Sequence, residues 1–551
     1  MKRHQDLEPR PRPGSRHLEF KPLHSQSSSS LLHLFSVSSH GSSISAIPLP
    51  HHALKPQHIQ FSTSFSNSSL SHLFLFGFWD FWGVEGWGRS GEGEGVEERE
   101  MAASAGAGVT GGGGAGTGAG STTRKFKLQR ENELRVEVGM DSSLKLQLVS
   151  GTAEIFGTEL PPMFWMTFPA AHKFAVFTWH GCTIELDGVS EVAYVADETP
   201  MVSYVNVHAV LERRRRRAKE SLSSSDAPNS QRLEGNFFAG PRCIVVGPTD
   251  CGKSCLVRML LGWAAREGWK PTYADLDIGQ GSITIPGTVS ATPVEMPIHP
   301  IEGVPLDLPL VYFYGHTTPS VNLDLYKVLV KELARTLDIQ SASNPEVQAA
   351  GMVINTMGWV DGVGYELLLH AIETLRADVV LVLGQEKLYS MLQEVLKARP
   401  GVDIVKLHKS GGVVNRNSKY RQRTRVQKTK EYFYGLSNDL SPHSSVANFS
   451  DLQVYRIGGG PQAPRSALPI GAEPTADPTR VVPVGFSRDL LHVVLAVSFA
   501  QDPEHLLSSN VAGFIYINEI DMQRKKVTYM APCPGPLPSQ LLLAGSLAWT
   551  E

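Results

Sequence analysis

The chain has 551 residues, a formal net charge of −3 and 41% hydrophobic residues. That length exceeds what one core usually organises, so roughly two to four folding units are expected, and the near-neutral balance confines any nucleic-acid contact to a local patch. Its five cysteines, Cys182, Cys243, Cys251, Cys255 and Cys533, contain no C-x-x-C pair, and its nearest approach to a membrane span is the short run Leu73 to Trp82; zinc ribbons, a disulfide framework and a membrane segment of about 20 apolar residues are thereby disfavoured.

Residues 1–123 are a Ser/His/Pro-rich start, an aromatic island at Phe74–Trp82, an acidic Gly/Glu stretch and Ala/Gly repeats. Such a low-complexity extension is not expected to fold by itself. Met101-Ala102-Ala103 resembles a natural initiation context, so residues 1–100 are expected to be absent from the working protein; a Ser-rich organellar transit peptide is the alternative. Period-two patterning then begins. Leu134, Val136 and Val138 alternate with charged residues, as do Leu144, Leu146 and Leu148, with turn chemistry at His180-Gly181 and Asp187-Gly188. This predicts an antiparallel β domain over 124–209, with a sandwich-like core. Residues 210–235 follow as a basic helix and linker. The unbroken run Arg213 to Arg217 reads as a solvated linker helix, with an RNA contact or localisation signal as the alternative.

From 236 to 435 short apolar strands alternate with amphipathic helices. The strands are expected at Cys243–Val246, Thr272–Leu276, Leu310–Tyr314, Met352–Asn355, Val379–Leu383 and Asp403–Leu407, with helices after Gly252 and around Leu323–Leu337, Gly364–Leu375 and Leu388–Leu396. The alternation predicts an α/β domain, a mostly parallel sheet wrapped by helices, with ligands at the carboxyl ends of the strands. Residues 436–551 turn β-rich again and form a third domain.

Four segments carry chemistry. Gly247-Pro248-Thr249-Asp250-Cys251-Gly252-Lys253-Ser254 is an uninterrupted G-x-x-x-x-G-K-[ST] loop after the apolar run Cys243–Val246. Its glycines let backbone N–H groups approach phosphate oxygens, Lys253 reaches the β/γ-phosphates, and Ser254 offers a hydroxyl to Mg²⁺. Next, Asp275 and Asp277 share a face at the end of a strand beside that loop; Asp277, nearer the strand end, is the first choice for the Mg²⁺ shell or the attacking hydroxyl. Asn355-Thr356-Met357-Gly358-Trp359 closes another strand, where Trp359 is either a base-stacking rim residue or a core aromatic, and Thr356 a phosphate contact. Finally, Lys406 to Lys430 holds nine Lys or Arg and no Asp or Glu. Arg421, Arg425 and Lys428 share a helical face there and are placed to neutralise a transferring phosphoryl group. No N-K-x-D guanine reader follows Leu383, where Gly384-Gln385-Glu386-Lys387 stands, and the motif set of a protein kinase is missing.

Together with Ala153–Leu160, Phe177–Cys182, Ser410–Val414 and Glu431–Gly435, these segments resemble the eukaryotic pre-mRNA cleavage-complex-II subunit and polyribonucleotide 5′-hydroxyl kinase family, the Clp-one type, from about Lys125 to the C-terminus. The resemblance implies a P-loop domain between two β domains, with ATP and Mg²⁺ as cofactors. It maps adenosine onto Glu133 and Lys173, the phosphate loop onto Asp250, Cys251, Gly252, Lys253, Ser254 and Cys255, and the metal onto Ser254 and Asp277. The substrate clasp maps onto Thr356 to Trp359, and the lid arginines onto Arg421–Arg425. Two departures are Cys255, where many members have Thr, and Gly384, where some have Asp; the first spares the Ser254 hydroxyl and the second bears on base contacts.

The implied function is nuclear mRNA 3′-end formation, with transfer of the ATP γ-phosphate to RNA 5′-hydroxyl ends. Cleavage factor II and other 3′-end processing subunits are the implied partners, and a role with the tRNA splicing endonuclease stays open. One rival is an ATP-locked scaffold that joins processing factors without turnover. Another is a nucleotide-metabolism kinase with a small acceptor pocket.

Overall fold

The computed structural model describes residues 123–223, 239–307, 309–459 and 477–550. The expectations for the N-terminal extension lie outside these residues. Among them, no helix is long and apolar enough to cross a membrane.

The first domain holds nine strands: β1 (Arg124–Leu128), β2 (Glu133–Val138), β3 (Leu144–Gly151), β4 (Glu154–Ile155), β5 (Thr158–Glu159), β6 (Trp165–Phe168), β7 (Lys173–Phe177), β8 (Cys182–Asp187) and β9 (Ser190–Ala196). They form a four-stranded sheet, β1-β8-β3-β6, and a five-stranded sheet, β5-β4-β7-β2-β9. Leu134, Val136 and Val138 of one sheet meet Leu144, Leu146 and Leu148 of the other in a common apolar layer, the β-sandwich that the period-two pattern specifies. The opposite face of the five-stranded sheet carries Glu133, Arg135 and Glu137, paired in register with Phe177, Ala175 and Lys173.

Helix α1 (Met201–Ser223) follows, beginning well before the expected helix at Val210. The valine-rich stretch before it has the composition of a strand. Yet Met201, Tyr204, His208, Leu211, Arg215 and Ala218 recur at three- and four-residue spacing, and all are buried. Burial of that stripe overrides local propensity.

The central domain is a seven-stranded sheet: β10 (Arg242–Val246), β11 (Thr272–Asp275), β12 (Thr288–Pro293), β13 (Leu310–Phe313), β14 (Met352–Asn355), β15 (Val379–Leu383) and β16 (Asp403–Leu407), in the order β13-β12-β11-β14-β10-β15-β16. β11, β14, β10, β15 and β16 are parallel, whereas β12 runs antiparallel to both its neighbours. β12 escapes the apolar pattern because Thr288, Ser290 and Thr292 are buried in it; the Thr288 and Ser290 hydroxyls donate to the Ile283 carbonyl. The helices are α2 (Lys253–Arg266), α3 (Leu323–Ser343), α4 (Pro345–Ala350), α5 (Val363–Thr374), α6 (Glu386–Leu396) and α7 (Ser418–Tyr434). Cys243 and Val245 face the layer containing α2, and Ile244 and Val246 the layer of α3, α5 and α6, so β10 is buried on both faces. Its carboxyl end lies between β14 and β15, where the order of connection reverses. This is where an open α/β sheet presents a ligand crevice.

The last domain is also a seven-stranded sheet, comprising β17 (His443–Asn448), β18 (Gln453–Ile457), β19 (Val481–Val484), β20 (Val493–Ser498), β21 (Val511–Asp521), β22 (Lys526–Ala531) and β23 (Leu541–Ala548). It grips the end of α7: Phe433 stacks on Trp549 with centroids 5.5 Å apart, and the Tyr432 hydroxyl receives the Phe514 N–H at 3.0 Å.

The five-arginine run is divided by helical periodicity. Arg214 pairs with Asp378 and Asp403 at the amino ends of β15 and β16, while Arg215 is fully buried and donates to the Ala350 carbonyl at 3.0 Å. Arg216 engages Glu212 and Glu267. Three of the five therefore fasten α1 to the central domain, in place of a solvated helix. Arg215→Ala is expected to cost about 3 kcal/mol by emptying a fully buried site and removing the bond to the Ala350 carbonyl, and Arg213→Ala less than about 0.5 kcal/mol. Thermal unfolding of the two variants checks the contrast.

Candidate nucleotide and phosphoryl-transfer site

The loop after β10 depends on backbone that only certain residues adopt without strain. Gly247 and Gly252 take φ of 155° and 95°, and Asp250 takes 53°. A Cβ on Gly247 would stand 2.7 Å from the Leu383 carbonyl oxygen, so side chains are excluded there by both shape and conformation. Lys253 opens α2 and is buried, its ammonium donating to the Gly247 and Pro248 carbonyls at 2.9 Å each.

Above this loop lies a cavity of about 270 Å³ with three walls. The loop and the start of α2 supply Asp250, Cys251, Gly252, Lys253, Ser254 and Cys255. The outward face of the five-stranded sheet supplies Glu133, Arg135, Lys173 and Phe177, joined by Tyr194 from β9. The third wall is the segment Ser410–Val414 with Arg416 and Arg421, leading into α7. Asp277 and Gln280 also line the cavity. Apolar side chains, including Phe156, Phe174, Met201 and Tyr204, line it as well, which makes it partly aromatic.

The two aspartates separate cleanly. Asp275 is buried and saturated: its Oδ2 accepts from Tyr273 at 2.9 Å and the Ser282 N–H at 2.6 Å, and its Oδ1 from Asn355 at 3.0 Å and the Asp277 N–H at 3.2 Å. It organises the turn and presents nothing to the cavity. Asp277 accepts the Gly279 and Gln280 N–H groups at 3.1 Å on Oδ1, while Oδ2 has no protein donor among the described residues. Burial and then the charge of Asp275 push its carboxyl up to about 6, opposed by Lys253.

The third wall is latched to the first. Asp250 Oδ2 accepts from the Arg416 N–H at 2.9 Å and from Arg421 at 2.6 Å, so the unusual backbone at Asp250 aims a carboxylate at the amino end of α7. Tyr420 donates to the Ala171 carbonyl at 3.2 Å and lies under Lys173, tying the same helix to the β-sandwich. Arg135 presses against Gly411 and Gly412, where a Cβ on Gly412 would stand 2.7 Å from its Nε. Arg135 also grips Glu133, whose other oxygen accepts from Thr199 at 3.0 Å.

Thus Glu133, Lys173, Asp250, Cys251, Gly252, Lys253, Ser254, Cys255, Asp277 and Arg421 share one cavity, with Gly247 at its base. Two residues need correction. Thr356 is buried, and its hydroxyl donates to the Val245 carbonyl at 2.7 Å, so it anchors the turn and offers no side chain to a ligand. Arg425 lies one helical turn beyond Arg421, outside the cavity wall, and Arg416 stands there instead. Trp359 rests on Gly364 at the start of α5 and remains 37% exposed beside the cavity residue Gly358. Arg135, Phe156, Tyr204 and Gln280 were missed; only Arg135 had a signal, its i+2 spacing from Glu133 on an outward strand face.

Three family models match successive parts of the chain. The N-terminal beta-sandwich domain of polyadenylation factor matches residues 127–218, the mRNA cleavage and polyadenylation factor CLP1 P-loop matches 247–435, and the pre-mRNA cleavage complex II protein Clp1 matches 440–551. A protein CLP1 homolog of Arabidopsis thaliana is 62% identical over 77% of this chain and 93% of its own length. The chain belongs to the CLP1 family. Within it, the human polyribonucleotide 5′-hydroxyl-kinase Clp1 is 44% identical over 75% of this chain and 93% of its own. A chain in the solved structure of a wild-type Clp1p–Pcf11p (454–563) complex matches the CLP1 fold with a TM-score of 0.66 at 24% identity, over 78% of this chain and 99% of that one.

Two expectations follow from the geometry. A Cβ on Gly358 would lie 2.6 Å from the Thr249 backbone, so Gly358→Ala is expected to displace the phosphate loop and weaken retention of a fluorescent ATP analogue by about tenfold or more. Because Asp277 binds its proton more tightly in the fold than in the unfolded chain, its contribution to stability falls as pH rises from about 4 to about 6. Asp277→Asn is expected to lessen that fall in thermal midpoints measured across the window.

Proposed function

We propose that the protein is an ATP-binding subunit of the nuclear pre-mRNA 3′-end cleavage and polyadenylation machinery that phosphorylates RNA 5′-hydroxyl ends. One observation carries this reading: Lys253 with Ser254, Asp277 and Arg421, drawn from three separate segments, line a single cavity. Membership of the CLP1 family and the name of the human relative support the choice of acceptor.

The donors fit Mg²⁺. Ser254 and Asp277 offer one hydroxyl and one carboxylate, and no cluster of three or more His, Cys, Asp or Glu forms a metal cage among the described residues. Mg²⁺ favours such open sites, where phosphate oxygens and water complete its shell. Held by Ser254 and Asp277, it would neutralise charge on the β- and γ-phosphates.

The side chains divide the remaining work. Loop N–H groups and the Lys253 ammonium grip the phosphates. Glu133, Lys173 and the aromatic wall hold the adenosine, and Trp359 at the rim stacks on the terminal base of the RNA. Asp277 Oδ2, free of protein donors, takes the proton of the 5′-hydroxyl as its oxygen bonds to the γ-phosphorus and the bond to the ADP oxygen breaks. Arg421, preset by Asp250, offsets the charge on the transferring group. Cleavage factor II and other 3′-end processing subunits are the proposed partners.

Transfer of labelled γ-phosphate to a 5′-hydroxyl oligoribonucleotide tests the reading. Lys253→Ala and Asp277→Ala are each expected to lower transfer by about 100-fold or more. Full ATP retention with no labelled RNA from the wild-type chain would overturn catalysis in favour of an ATP-locked scaffold.

A further inference from the structure

Strand β9 ends the five-stranded sheet and, among the described residues, pairs only with β2. Its outer edge therefore offers unpaired backbone groups, and its side chains are unusually apolar for such a place: Val189, just before it, is 64% exposed, and Val192, Tyr194 and Val195 are 37%, 44% and 38% exposed. Edge strands are normally blunted by lysine, proline or a bulge along their length. Here the register shift against β2 falls at Glu191, between the pairs Val192 with Glu137 and Ser190 with Val138, and Val192–Ala196 run regularly beyond it.

The charges that this stretch of chain contributes to the edge are acidic: from Asp187 to Glu198 it carries four Asp or Glu and no Lys or Arg. Glu191, Asp197 and Glu198 are exposed, and none forms an ion pair among the described residues. Arg124 and Arg135 reach the strand only to bind the Ser190 hydroxyl and the Tyr194 hydroxyl with the Glu198 carbonyl. Two copies of β9 paired antiparallel about Tyr194 would set Glu191 opposite Asp197, a like-charge contact that disfavours self-association. The same acids repel a polyanion such as RNA.

We propose that the β9 edge docks an extended segment of a partner protein in which apolar residues alternate with Lys or Arg, added to the sheet as a sixth strand. Main-chain hydrogen bonds hold such a segment, and the exposed valines and flanking acids select it. The site also touches the nucleotide cavity: Tyr194 packs against Arg135, 5.7 Å from ring centre to guanidinium, and both line that cavity.

A fluorescein-labelled octapeptide of alternating Val and Lys, titrated into the full chain at low salt, tests the proposal. Saturable binding is expected, with amide-exchange protection centred on residues 190–197. It should weaken about tenfold in the Glu191→Lys, Asp197→Lys double variant, whose thermal midpoint should match the wild type. An alternating Val and Glu peptide, or the Val and Lys peptide N-methylated at every other residue, is expected not to bind. Any of four results would overturn the proposal: no saturation, protection elsewhere, equal binding of the N-methylated peptide, or concentration-dependent dimerisation through β9 without peptide.

Discussion

The organisation of this protein depends on the sharp turn that the chain makes on leaving β10. Left-handed backbone at Gly247, Asp250 and Gly252 bends the loop, a conformation in which successive N–H groups can form an anion-binding concavity. The surrounding parts are then positioned from that turn. Asp250 projects toward Arg416 and Arg421, Thr249 abuts Gly358, and Lys253 folds over its own loop. The start of α7, the turn at Gly358 and the loop after β10 are thus referenced to a few residues of unusual backbone, which are tolerated because β10 is buried on both faces of a parallel sheet.

The two β domains act on the same centre from opposite ends of α7. At its beginning, Tyr420 reaches the β-sandwich, while Arg135 packs on Gly411 and Gly412. At its end, Tyr432 and Phe433 enter an aromatic cluster with Phe514, Tyr516 and Trp549. A helix with only Thr429 and Phe433 buried would have little reason to hold one place by itself. Fixing both ends puts Arg421 at the cavity and leaves Arg425 outside it. Helix α1 performs a comparable service for the β-sandwich, since Arg214 and Arg215 fasten to the amino-end side of the central sheet and keep the sandwich face over the crevice.

Much of this was legible beforehand, for identifiable reasons. Period-two alternation around Leu134 and Leu144 specified the sandwich, and apolar runs such as Val379–Leu383 specified the parallel strands, because burial on one face or on two leaves a periodic trace. β12 left none, since its inward positions are Thr and Ser that satisfy their hydroxyls on the Ile283 and Ile285 carbonyls. The start of α1 was hidden by β-branched residues whose preference is outweighed by a buried stripe.

The sequence by itself determined the phosphate loop, the strand-end aspartates, the basic span and the order of three domains, because each rests on local spacing or composition. Tertiary structure alone decided which member of each set faces the ligand. Asp275 and Asp277 differ in the hydrogen bonds that saturate one and leave an oxygen of the other open, and in that Asp277 alone of the two lines the cavity. Thr356 is withdrawn by a carbonyl of a neighbouring strand, and the arginine run is divided between solvent and carboxylates on distant strands. Asn355 for Asp275, Val245 for Thr356, and Asp378 and Asp403 for Arg214 lie 80 or more residues away along the chain, a distance that local pattern does not encode.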